Sequence, residues 1–161
     1  MKKSTILLLV VVYVIAFFIV GLLGMQLRSA YSVSYLNEIR VTPFEETPLV
    51  LKNFTTESLG SENEPEKMRV VNNYTYNTNY TGKGMVIKLN VSLLPNETTV
   101  NDYQLYFEEN EKFYSVVKNE DLSIFVTINK VYPGSFTDVT LILKDKMQHG
   151  VKTTVNISVI N

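Results

Sequence analysis

From Met85 onward, apolar and polar residues alternate along the chain with a period of two. Met85, Ile87, Leu89, Val91 and Leu93 are separated by Val86, Lys88, Asn90 and Ser92, the pattern of a strand with one face in a core and the other in solvent. Leu94-Pro95-Asn96-Glu97-Thr98-Thr99 closes it with turn formers. The period returns in Tyr103, Leu105 and Phe107, in Phe113 to Lys118, and in Leu122, Ile124, Val126 and Ile128. It returns again in Val139, Leu141 and Leu143, and finally in Val151, Thr153, Val155, Ile157 and Val159. Between these runs, Tyr132-Pro133-Gly134-Ser135 and Asp145 to Gly150 predict turns, Pro presetting one φ angle and Gly admitting another. No helical periodicity interrupts the series.

Upstream of Met85 the pattern is less regular. Leu36 to Val41 and Leu49 to Lys52 predict shorter strands, broken by Pro43 and Pro48, which strands tolerate at edges and ends. Asn53 to Lys67, NFTTESLGSENEPEK, is polar and acidic and predicts a long exposed loop. Val70 to Gly84, VVNNYTYNTNYTGKG, sorts into two faces if extended: Tyr74, Tyr76, Thr78 and Tyr80 on one, Asn73, Thr75, Asn77, Asn79 and Thr81 on the other. Either the tyrosine face is open, a stacking surface for a sugar ring or a partner protein, or it covers the core. Seven or eight short strands with turns between them predict an all-β chain folded as an antiparallel β-sandwich.

The N-terminal segment follows a different rule. Ile6 to Met25 is 20 residues without a charge, and as a helix it covers about 30 Å, the hydrocarbon thickness of a bilayer. A cleaved signal peptide has an apolar core of about 7–15 residues and a small-residue cleavage site, whereas Arg28 stands just before Ala30 here. The expectation is a retained single-pass transmembrane helix that places Ile6–Met25 in the lipid bilayer. Lys2 and Lys3 before the span, against Arg28 alone after it, orient the N-terminus to the cytoplasm and residues from about 30 onward outside the cell membrane. The expected organisation is an anchor over residues 1–29 and one extracytoplasmic domain over 30–161, with 53–67 as its long loop.

The segments KLNVSLLPNETTVNDYQLYF, LSIFVTI and FTDVTLILKDKMQHGVKTTVNISVI, from Lys88 to Ile160, together resemble a bacterial immunoglobulin-like domain, loosely of group 2. The likeness is clearest over residues 84–161: a strand ending in a Pro-containing loop, a short strand after it, and two strongly alternating strands closing the chain. Tyr103-Gln104-Leu105-Tyr106 stands where that family has a tryptophan-serine stretch, and Pro133-Gly134-Ser135 where it has a Gly-x-Ala step. With the anchor, the chain also resembles small surface proteins of Gram-positive-type bacteria. The resemblance implies an immunoglobulin-like sandwich acting as a binding or structural module; another envelope protein or a surface glycan is the partner expected of the tyrosine face where it is open. The alternative is a subunit of a surface filament or secretion assembly, packed through its apolar N-terminal helix.

Composition narrows the chemistry. There is no cysteine, so an exported domain of this length relies on its core alone. Removing Lys2 and Lys3 from a net charge of −1 leaves −3 on the rest of the chain, and no basic stripe points to nucleic acid. The only histidine, His149, falls in a turn, and Ser115-Val116-Val117-Lys118 lies in a strand, where residues three apart face opposite sides rather than forming a helical Ser-x-x-Lys pair. No catalytic residue, cofactor or metal ligand set is therefore expected; the acidic clusters Glu108-Glu109-Asn110-Glu111 and Glu120-Asp121 lack the Asp-x-Asp-x-Asp spacing of a calcium loop. Six Asn-x-Ser/Thr sequences begin at Asn53, Asn73, Asn79, Asn90, Asn96 and Asn156, acceptors for glycan in a host that glycosylates its exterior. The remaining binding candidates are Tyr74, Tyr76 and Tyr80.

Overall fold

The computed structural model describes residues 3–30, 35–60, 68–96, 98, 102–147 and 150–161. The chain divides into two compact units, Met1–Val33 and Ser34–Asn161.

The first unit is one helix, α1 (Lys3–Ala30), 28 residues long. Its side chains are described at Thr5 and at Val10–Leu23. Every one of these is exposed, with Phe17 at 79%, so apolar groups project on all sides and no polar stripe exists to set against water. Among the described residues no helix is long and apolar enough to cross a membrane.

Among the described residues the second unit has nine strands: β1 (Glu38–Pro43), β2 (Val50–Leu59), β3 (Arg69–Asn79), β4 (Met85–Leu94), β5 (Tyr103–Phe107), β6 (Tyr114–Lys118), β7 (Ile124–Ile128), β8 (Phe136–Asp145) and β9 (Lys152–Ile160). They form two sheets, β1-β4-β7-β6 and β2-β3-β9-β8-β5. The all-β, sandwich-like architecture is as the alternation predicts. All pairings are antiparallel except β3 with β9, which run parallel from Val71↔Lys152 to Asn79↔Ile160; alternation reports which face is buried and carries no information on strand direction.

The inward faces make one core. Ile39 and Val41 of β1, Ile87 and Leu89 of β4, and Ile124, Val126 and Ile128 of β7 lie in the same buried cluster as Val139, Leu141 and Leu143 of β8 and Val155, Ile157 and Val159 of β9. Burying each of these side chains contributes roughly 1.5–3 kcal/mol. The turn after β7 ends as expected: Gly134 holds φ +68°, and the Ser135 N–H donates to the Tyr132 carbonyl at 3.1 Å.

Two departures from the pattern have physical causes. The expected loop over 53–67 is a strand as far as Leu59, continuing β2, and 61–67 lie outside the described residues. All ten side chains of β2 are exposed, so it has no buried face for alternation to report, although its backbone is paired with β3 from Val50↔Asn77 to Leu59↔Arg69. β7 begins at Ile124 rather than Leu122. The Asp121 carboxylate accepts from both the N–H and the hydroxyl of Ser123, an Asx turn that holds Leu122 at φ +69°.

A polar pin joins the sheets. Asn72 and Thr153 are register partners on β3 and β9, both buried, and both donate to the Ile39 carbonyl of β1 in the opposite sheet. Asn72 Nδ2 also donates to Glu38 Oε1 at 3.1 Å.

Candidate functional site

The tyrosine face is the buried one. Tyr74 and Tyr76 are 7% and 4% exposed and belong to the core, while Tyr80 packs against it partly buried. The rings of Tyr74 and Tyr76 stack with centroids 6.0 Å apart, and Phe54 of β2 leans on Tyr74 at 4.8 Å. Their surface is spent on packing, so these three tyrosines do not form an open binding strip. The opposite face of β3, Asn73, Thr75, Asn77 and Asn79, is the outer face of the five-stranded sheet.

The acceptor asparagines lie on five different elements. Asn53 on β2, Asn73 and Asn79 on β3, Asn90 on β4 and Asn96 in the turn after β4 are exposed. Asn156 is half-buried in the middle of β9 and accepts from the Thr140 hydroxyl at 3.0 Å. Ser115 and Lys118 lie on opposite faces of β6, with Ser115 beside Thr127 and Lys118 beside Ile124. His149 lies outside the described residues. Among the described residues no three His, Cys, Asp or Glu side chains converge.

The inward-facing Lys118 has a specific partner. Its ammonium donates to Asp102 and, at 2.7 Å, to the Tyr103 carbonyl, and it sits 4.1 Å above the centre of the Tyr103 ring. Lys146 donates to the second oxygen of Asp102. Partial burial pushes the Asp102 carboxyl up, but the hydrogen bonds from Lys118, Lys146 and the Tyr103 N–H outweigh it and hold the group at about 2. Tyr103 itself is buried, which pushes its phenol well up, and donates to the Leu122 carbonyl at 2.6 Å. These groups satisfy one another and tie β5 to β6 across the sandwich; this is a structural cluster.

A different cluster is open. On the outer face of the five-stranded sheet a pocket of about 420 Å³ is bounded by Gln104 and Tyr106 of β5, Lys144 of β8, Lys152 of β9 and the Gly150-Val151 backbone. Register brings these side chains onto one face: Lys144 lies directly opposite Lys152 on one side and Gln104 on the other. The Tyr106 hydroxyl donates to Gln104 Oε1 at 2.6 Å, leaving the ring 47% exposed, and the Lys144 ammonium stands 5.1 Å from the ring centre. Arg69 stands next to Gly150 of the lining, its Nη1 3.5 Å from where a Cβ there would stand, an ordinary contact distance. Gly150 holds φ +87°, the left-handed region that favours glycine there.

No carboxylate among the described residues forms an ion pair with Arg69, Lys144 or Lys152. Asp145 adjoins the pocket, but it is buried on the inner face and accepts from the Met147 N–H. Like charges directly opposite on neighbouring strands destabilise a sheet, so the Lys144–Lys152 pair costs stability that no ion pair among the described residues offsets. Three cationic donors, one amide and one aromatic face are the groups that bind an anionic group carried on a ring. Nothing in the sequence marks this site as a motif: its only signal was a hairpin whose turn, Asp145 to Gly150, sets two lysines on facing outward positions.

No protein-family model matches this chain, and no curated protein and no solved structure matches it.

Proposed function

We propose that this protein is a non-enzymatic binding module, held at a cell membrane by α1 with its sandwich outside, and that the outer-face pocket takes an anionic saccharide. The observation that carries the reading is the facing pair Lys144 and Lys152 beside the exposed Tyr106, with Arg69 next to Gly150, none of the three in an ion pair among the described residues. The anionic group sits among Lys144, Lys152 and Arg69, the sugar ring lies on Tyr106, and Gln104 supplies an orienting amide.

The strand order supports an immunoglobulin-like fold for the module. β1, β4, β7 and β6 occupy the order of strands A, B, E and D, and β9, β8 and β5 that of G, F and C. Tyr103 then fills the buried position on strand C where antibody domains carry tryptophan. Anchoring is supported by α1, whose described side chains are apolar and exposed from Val10 to Leu23 and continue an uncharged run from Ile6 to Met25.

The test is calorimetric titration of the full chain in detergent micelles with a hexuronate oligosaccharide and with its carboxyl-reduced, neutral counterpart. The charged form binds, more weakly as salt rises, and Lys152→Glu lowers its affinity roughly tenfold. Equal binding of the two forms, no binding of either, or indifference to Lys152→Glu overturns the assignment.

A further inference from the structure

We propose that β2 is a self-association edge, pairing antiparallel with β2 of a second copy of this chain and joining two five-stranded sheets into one. The two sheets present four edge strands, β1, β6, β2 and β5. Three are blunted: β5 and β6 have five residues each, and β1 has six, ends in Pro43 and carries the Arg40–Glu38 ion pair. Short length, proline and charge are the devices that keep a sheet edge from pairing with another chain.

β2 has neither short length nor proline, and its charge is confined to one residue of each sign. It runs ten residues without proline, every side chain is exposed, and Val50, Leu51, Phe54 and Leu59 are large and apolar. Its register with β3 shifts once, at Lys52, and is regular from Asn53 to Leu59. Phe54 and Leu51 share a face with Tyr74 and Tyr76 through that register, so the apolar layer of the core continues outward across β2 and stops uncovered.

The charges on the strand indicate what covers it. Lys52 and Glu57 are its only charged residues, and neither has an ion-pair partner among the described residues. An antiparallel copy reverses the strand, and a two-fold axis at Thr55 sets Thr55 opposite its own copy and Asn53 opposite Glu57, so that Lys52, next to Asn53 at the register shift, lies diagonal to Glu57 of the other copy. Each Phe54 stands opposite Thr56 of the other copy on the core-facing side, with the two Phe54 rings diagonal across the axis, and extends the core across the junction. β2 is complementary to itself in polarity, hydrogen bonding and charge.

The absence of cysteine gives a direct test. The full chain carrying Thr55→Cys is oxidised in detergent micelles, with Thr140→Cys, an exposed position on central strand β8, as the control. Facing Thr55→Cys residues lie within disulfide reach across an antiparallel pair, so this variant gives covalent dimer in several-fold excess over the control. Adding Glu57→Lys lowers the dimer yield several-fold, and adding Lys52→Glu as well restores it. Unchanged far-UV circular dichroism verifies that these exposed substitutions leave the sandwich folded. Dimer no more abundant than in Thr140→Cys, or a yield indifferent to the charge exchange, overturns the proposal.

Discussion

Tyr76 lies in the core beside Tyr74, and burial, with the neighbouring phenol second, pushes its own phenol up to about 12. Tyr76→Ala removes a buried ring and leaves a cavity, an expected loss of about 3–5 kcal/mol by urea unfolding. Asn73→Ala, on the other face of the same strand, changes stability by no more than about 0.5 kcal/mol. Asp102 supplies a pH dependence. Its folded value, about 2, lies below the ordinary 3.8, so its contribution is complete above the ordinary value and is lost as pH falls from near 4 through about 2. With a side chain about a third exposed to solvent, the contribution is about 1 kcal/mol. Asp102→Asn loses that amount at neutral pH and flattens the acid limb of unfolding free energy against pH.

At the scale of elements, the β8–β9 hairpin sets stability against binding. Replacing one of two directly opposed lysines with an acid converts repulsion into attraction, so Lys152→Glu stabilises the domain by about 0.2–1 kcal/mol. Under the proposed function the same substitution weakens binding of the anionic saccharide, and measuring urea midpoint and affinity on one preparation separates a binding loss from a folding loss. β2 illustrates a limit of pattern reading. Strands β4, β8 and β9 have one face in the core and reveal themselves by alternation, whereas β2 is held by backbone pairing to β3 and has no buried side chain. Its Phe54-Thr55-Thr56 run favours extended backbone, and that propensity was outweighed by the polar and acidic residues that follow it.

For the whole molecule, the expected outcome of the membrane reading is that the full chain stays with the membrane fraction through alkaline carbonate washing and is released by detergent. Protease added to intact cells then removes residues beyond about 35 while leaving α1 protected. Release by carbonate, or protection of the sandwich until cells are lysed, is the result against it. The domain from Ser34 onward holds a core of its own, so its unfolding transition is cooperative in urea.

By itself the sequence determined the elements and their faces. Met85 to Leu93 and Val151 to Val159 alternate because one side of each strand must leave water, and that requirement is written residue by residue. It also determined that the N-terminal segment is apolar all round, and that Tyr74 and Tyr76 share a side opposite Asn73. Which side was inside depended on the tertiary structure, because both faces of that strand carry groups able to meet water. The tertiary structure likewise decided the parallel pairing of β3 with β9, the pin of Asn72 and Thr153 on Ile39, and the meeting of Arg69, Tyr106, Lys144 and Lys152 at one corner of a sheet. Each joins residues far apart in the chain through register and strand order, and the period of a single strand does not encode its neighbours.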